Sequence, residues 1–157
     1  MIQHRALRLL LEQNPDARLT VQEGIFGTPG PFAQKWLAFA PEGTAPQLDV
    51  PVTVVEGSLP VLGGVRMPRG LARGVVQEGR VVAWAVAREP DPAGVCAITV
   101  ETAPVYRRRG YAKACLLALR RDCAQPLIYL CDARNLHSAL TALSAGFHCI
   151  GSLERNP

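Results

Sequence analysis

The hexapeptide Arg107-Arg108-Arg109-Gly110-Tyr111-Ala112 holds the densest chemistry in this sequence. It lies between a strand-like run and an amphipathic helical pattern, and so forms a turn that opens onto a helix N-terminus. Unpaired backbone N–H groups and the positive end of the helix dipole meet at such a point and create a site for an anion. Gly110 lets the main chain approach a ligand closely, Ala112 leaves the first helical turn unobstructed, and three arginines supply the charge that a pyrophosphate needs. The same residues also fit a solvated basic run ahead of an ordinary helix, because short strings of this kind recur by chance.

The elements that must position this turn follow from periodicity. Gly74 to Val86 contains two β-rich runs around Glu78-Gly79, as a hairpin requires. A second turn, Glu89 to Gly94, leads into Val95 to Thr102, giving a three-stranded antiparallel meander. Along that third strand Cys96, Ile98 and Val100 share a core-like face, while Thr99 and Glu101 share the face that can line a cleft. After Pro104, residues Ala112, Cys115, Leu116, Leu119 and Cys123 recur at helical spacing against Lys113, Arg120 and Arg121, and Gln125-Pro126 ends the helix. Leu127 to Cys131 reads as a strand buried on both faces. A second helix over Leu136 to Ala145 stops at Gly146, and Phe147 to Leu153 forms a last strand. Upstream, residues 1–13 read as a helix broken by Asn14-Pro15-Asp16, followed by a strand over Arg18 to Gln22. Seven of the thirteen prolines fall between Pro29 and Pro68, which favours short strands and loops there, with Val52 to Val55 the best strand. The whole describes an α+β fold with a mixed, mostly antiparallel central sheet flanked by helices.

Composition bounds the function. The chain has 157 residues, 48% apolar and 19% charged, which fits one globular domain with a substantial core and argues against disorder. No apolar run approaches the length of a membrane span, and the N-terminus lacks the pattern of a secretory signal. Five scattered cysteines at no ligand spacing predict reduced thiols, a cytoplasmic location and no metal. A formal charge of +4 steers polyanions, and suits a nucleotide cofactor or nucleic acid equally.

The stretch Thr102-Ala103-Pro104-Val105-Tyr106-Arg107-Arg108-Arg109-Gly110-Tyr111-Ala112 closely resembles the coenzyme-A pyrophosphate motif of the GNAT acetyltransferases. Downstream, Asn135-Leu136-His137-Ser138 and Gly146-Phe147 resemble that family's N-x-x-A/S…G-F segment. Two ordered motifs are more specific than either alone. The likeness covers roughly residues 71–153, and it is nearest to bacterial members with a T-x-P strand end preceded by an acidic residue. It implies the GNAT, or acyl-CoA N-acyltransferase, fold: one domain over residues 1–157, with an acetyl-CoA-binding core at 71–153 and a substrate side at 1–70 of open arrangement.

The resemblance also implies roles. Arg107, Arg108, Arg109, Gly110, Tyr111 and Ala112 form the pyrophosphate loop; Val100 and Thr102 meet the acetyl carbonyl and the pantetheine amides through their backbone. Asn135 and Ser138 lie near the pantetheine, although Asn135 is equally suited to cap its helix. Glu101 is the candidate base for the substrate ammonium and the Val100 N–H the donor to the thioester oxygen, with a surface-facing or salt-bridged Glu101 as the alternative. The sequence departs from the family at Ala142, where a tyrosine often protonates the leaving thiolate; Tyr129, Cys131, His137 and Tyr111 are nearby replacements without a spacing argument. The chain also ends soon after its last expected strand, so the sheet's C-terminal edge is incomplete or is completed by the N-terminal region or a partner chain. The expected activity is acetyl transfer to a primary amine of a small molecule, amino acid or protein terminus. A non-catalytic acyl-CoA-binding module is the alternative, a nucleic-acid surface is disfavoured for lack of interleaved aromatics, and a homodimer is compatible.

Overall fold

The computed structural model describes residues 17–20, 34–47, 50–55, 61–62, 66–92 and 94–155. The helix expected over residues 1–13, its Asn14-Pro15-Asp16 break and Gln22 lie outside them. Among the described residues the chain forms eight strands and two α-helices: β1 (Ala17–Thr20), β2 (Gln34–Pro41), β3 (Thr53–Val54), β4 (Gly70–Gln77), β5 (Arg80–Arg88), β6 (Cys96–Thr102), α1 (Tyr111–Asp122), β7 (Leu127–Asp132), α2 (Leu136–Ser144) and β8 (Phe147–Arg155). None of their helices is long and apolar enough to cross a membrane.

Local chemistry sets the meander. Glu78 and Gly79 both adopt positive φ, 51° and 74°, the two-residue turn whose twist matches the strands it joins. It pairs β4 with β5 from Gly70↔Arg88 to Gln77↔Arg80, with an irregularity at Val75/Val76. At the next turn Asp91 Oδ1 accepts from the Val95 N–H at 2.9 Å, and β6 then returns along β5 from Ala87↔Ile98 to Ala83↔Thr102. The upstream strand expected over Val52 to Val55 is realised as the two residues of β3, paired to Arg73 and Gly74.

The sheet order is β1-β8-β2-β7-β6-β5-β4-β3. Every named pair is antiparallel except β6 and β7. The C-terminal edge is therefore completed from within the chain: β2 inserts between β7 and β8, pairing Phe39 with Tyr129 on one side and with Cys149 on the other, and β1 closes the edge along β8. Both helices lie on one face. Cys115, Leu116 and Leu119 of α1 and Ala139 and Ala142 of α2 join Leu37, Phe39, Tyr129 and Phe147 in the main core. The other face carries two smaller clusters, one around Trp84 and Val86 and one around Ala38, Ile128 and Leu153. Thr99 and Glu101 pair with Val86 and Trp84, so the polar residues of β6 share their face with apolar neighbours.

One arginine ties the edge together. The Arg120 guanidinium, on α1, donates to the carbonyls of Ala145 and Gly146 at 3.3 and 3.0 Å, and to those of Glu42 and Gly43 at 3.3 and 2.6 Å. The turn after α2 and the loop after β2 are thus held to the same side chain. Gly146, at φ 78°, ends α2 in the left-handed conformation that its sequence position implies.

Candidate functional site

β6 and β7 run parallel, but their ladder spans only Cys96↔Leu127, Ala97↔Ile128 and Ile98↔Tyr129. Both strands continue past it, to Thr102 and Asp132. They therefore part after Ile98 and Tyr129, and each has an edge facing the gap without a strand partner. A cleft of about 510 Å³ opens there, and its walls include Val100, Glu101 and Thr102 of β6, Tyr129 of β7, and Asn135, Ser138 and Thr141 at α2.

The other end of the cleft is the turn before α1. A Pro104–Tyr106 helical turn follows β6, Arg108 takes φ 64°, and Gly110 is the N-cap of α1 at φ 77°. No side chain caps this helix and no acid lies in its first turn. The Gly110 carbonyl accepts from the Ala114 N–H at 3.0 Å, the first helical bond, so the amides of Tyr111, Ala112 and Lys113 precede the intrahelical ladder. Arg107, Arg108, Gly110, Tyr111, Ala112 and Lys113 all line the cleft. Free amides, the helix dipole and adjacent cations together suit an extended phosphate-bearing ligand.

Thr99 and Cys131 lie off the cleft wall, and so does Arg109, alone among the residues expected to hold the cofactor. Its guanidinium sits 5.0 Å from the centre of the Tyr106 ring and donates to the Val105 carbonyl at 3.4 Å. Tyr106 stacks in turn on Tyr111, ring centres 6.3 Å apart. Asn135 caps α2, its Oδ1 accepting from the Ser138 N–H at 3.1 Å, and also lines the cleft. Glu101 is half-buried at the cleft with no salt bridge among the described residues.

Tyr106, Lys113, Thr141 and Ser144 also line the wall, and the sequence alone assigns none of them to it. In the sequence Lys113 belongs to the polar side of α1, opposite its apolar stripe. Thr141 and Ser144 continue a polar stripe from Ser138 at three-residue spacing, a helical pattern that marks a face turned to something polar. Their hydroxyls donate back to the carbonyls of His137 and Thr141 at 2.9 and 2.8 Å.

The five cysteines are free, and Cys96, Cys115 and Cys131 are buried. Burial pushes the Cys115 thiol up to about 12 and the Cys131 thiol up to about 11, so neither is a thiolate at neutral pH. No group of three potential metal ligands occurs among the described residues.

Among solved structures, a GNAT-family acetyltransferase from Colwellia psychrerythraea aligns with a TM-score of 0.60 at 16% identity, over 81% of this chain and 58% of its own. A putative GNAT-family acetyltransferase from Novosphingobium aromaticivorans aligns at 0.61 and 23% identity, over 88% of this chain and 65% of its own. A GCN5-related N-acetyltransferase from Sphaerobacter thermophilus aligns at 0.58 and 17% identity, over 95% of this chain and 54% of its own. These likenesses establish the fold, and the chain spans between about half and two thirds of each relative's length. No curated protein matches the sequence. The family model described as GNAT acetyltransferase matches residues 68–154, more than half of the chain and all of its cleft, and on that match this chain belongs to the GNAT acetyltransferase family.

Proposed function

We propose that this protein transfers an acetyl group from acetyl-CoA to a primary amine. The observation that carries the reading is that the uncapped, arginine-flanked N-terminus of α1 and the fork between β6 and β7 open into one cleft. In this reading the first-turn amides, Arg107 and Arg108 hold the pyrophosphate, and Arg109 adds to the positive field from behind Tyr106. Thr102, Asn135 and Ser138 flank the pantetheine arm. The bound donor supplies an acetyl group already activated as a thioester.

The chain's own residues then have two tasks. An amine with a pKa near 10 is almost entirely protonated at neutral pH, and Glu101 takes its proton, directly or through water. The Val100 N–H donates to the carbonyl oxygen as that atom gathers negative charge. The proposed unit is a single domain, with residues 71–153 forming the acyl-CoA side and the first 70 residues contributing the acceptor side. The N-terminal part also supplies β2, an interior strand next to β7.

The test is calorimetry with acetyl-CoA followed by a panel of small amines, amino acids and peptide N-termini, with release of free thiol as the signal. Micromolar binding and thiol release with one amine class support the reading. Binding without turnover points to an acyl-CoA-binding module, and no binding at all overturns the proposal.

A further inference from the structure

Departure of a thiolate from a thioester is eased by a proton donor near the sulfur, and Ala142 is fully buried in the core with no proton to give. Of the cleft's other hydroxyls, Tyr106 and Tyr111 stand at the phosphate end, where the Tyr111 oxygen accepts from Gln77 Nε2 at 3.5 Å. Tyr129 is placed differently. It is the last β7 residue paired with β6, opposite Ile98, and so marks the crotch of the fork. Its ring is wedged between Phe39 and Phe147, with centroids 6.1 and 6.3 Å away, yet the residue still reaches the cleft wall. Its hydroxyl shares a hydrogen bond with Ser138 Oγ and donates to the Ser138 carbonyl at 3.3 Å, so the proton must turn from that carbonyl toward the sulfur.

Resting on the acyl-CoA reading above, the geometry points to Tyr129 as the general acid of the transfer, with Ser138 as the residue that positions its hydroxyl. As the amine nitrogen bonds to the carbonyl carbon, the carbon–sulfur bond breaks and its electron pair leaves with sulfur. Sulfur takes the Tyr129 proton and departs as a neutral thiol. The phenolate accepts a hydrogen bond from the Ser138 hydroxyl at the first turn of α2, where the helix dipole favours negative charge. It is reprotonated by the proton that the nitrogen sheds on becoming an amide. Burial raises the phenol's pKa, partly offset by the Ser138 bond, so the acid is loaded throughout the neutral range. The neighbouring titratable groups are Cys131 on the same strand face, His137 beside Ser138, and Glu101 across the fork.

One test needs no acceptor. At pH 9 an ordinary thiol is largely thiolate, so the affinities of CoA and of desulfo-CoA, in which hydrogen replaces the thiol, report contact at the sulfur. Tyr129→Phe is expected to weaken CoA about fivefold and desulfo-CoA less than twofold, with Ser138→Ala giving the same selectivity at smaller size and Cys131→Ala giving none. In turnover with any accepted amine, Tyr129→Phe should lower kcat by about 10²-fold, the scale for losing a positioned acid, with the KM for acetyl-CoA within twofold. Equal losses for the two ligands, no loss in either, or the selective loss appearing in Cys131→Ala overturns the assignment. Should Tyr129→Phe not fold, Ser138→Ala decides by the same comparison. Wild-type protein binding neither ligand overturns the acyl-CoA reading, and this assignment with it.

Discussion

Gly146→Ala tests how the sheet edge is held. At φ 78° an L-residue costs about 1–2 kcal/mol, and the smaller entropy of the unfolded alanine chain adds about 0.4–1 kcal/mol to its disadvantage of being unfolded, leaving a net backbone cost of about 1 kcal/mol. A Cβ there would also stand 2.4 Å from Arg120 Nη1 and 3.0 Å from Pro46 Cδ. The guanidinium end is flexible, so it moves away rather than clashing, but in moving it releases the carbonyls of Ala145 and Gly146. Those charge-assisted bonds are only partly buried, and about 1 kcal/mol each is a suitable discount from the buried value. The expected loss is about 3 kcal/mol, measured by urea unfolding through the fluorescence of Trp36 and Trp84. Gly79→Ala is the comparison: φ is 74° but nothing lies within 4 Å of the added carbon, so it should lose only about 1 kcal/mol. In an Arg120→Met background Gly146→Ala should likewise cost about 1 kcal/mol, a coupling of about 2 kcal/mol. A coupling under about 0.5 kcal/mol, or equal losses at Gly146 and Gly79, refutes the arginine clamp.

Gly110→Glu should abolish acetyl-CoA binding by calorimetry while far-UV circular dichroism stays native, because a carboxylate then occupies the anion site. Glu101→Gln should leave acetyl-CoA affinity nearly unchanged and lower turnover by about 10²-fold, seen in steady-state kinetics as a fall in kcat that removes the acidic limb of the pH profile. Hydrogen bonds from Arg121 and Arg73 hold the Asp122 carboxylate well below its usual range, so its contribution is present above the ordinary aspartate pKa and is lost as pH falls through and below it. Arg73→Met, which removes the 2.7 Å bond between β4 and α1, should flatten that acid limb in urea midpoints measured from pH 6 down to pH 2.

Much of the end of the cleft at the α1 N-terminus was legible because its signals are local. A positive φ at Glu78-Gly79 or Gly146, the Asn135 cap and the 3.6-residue phase of α1 each depend on a few adjacent residues, so the sequence by itself determined the hairpin, both helices and the anion-ready turn. Strand pairing carries no such local mark. That β2 pairs Trp36 with Leu153 and Phe39 with Tyr129, 117 and 90 residues away, follows from which apolar faces fit together, and only the tertiary structure decided it. The same holds for the fork, since Leu127 to Cys131 reads as a continuous strand whether or not its partner leaves it after Tyr129. Arg109 is chemically equal to its neighbours in the sequence, and the fold turns it onto Tyr106 because the stacked ring lies on that side of the turn. Tyr129 and Ser138 meet for a related reason: the chain between β7 and α2 bends so that a strand side chain and a first-turn hydroxyl face each other, a distance that no spacing rule encodes.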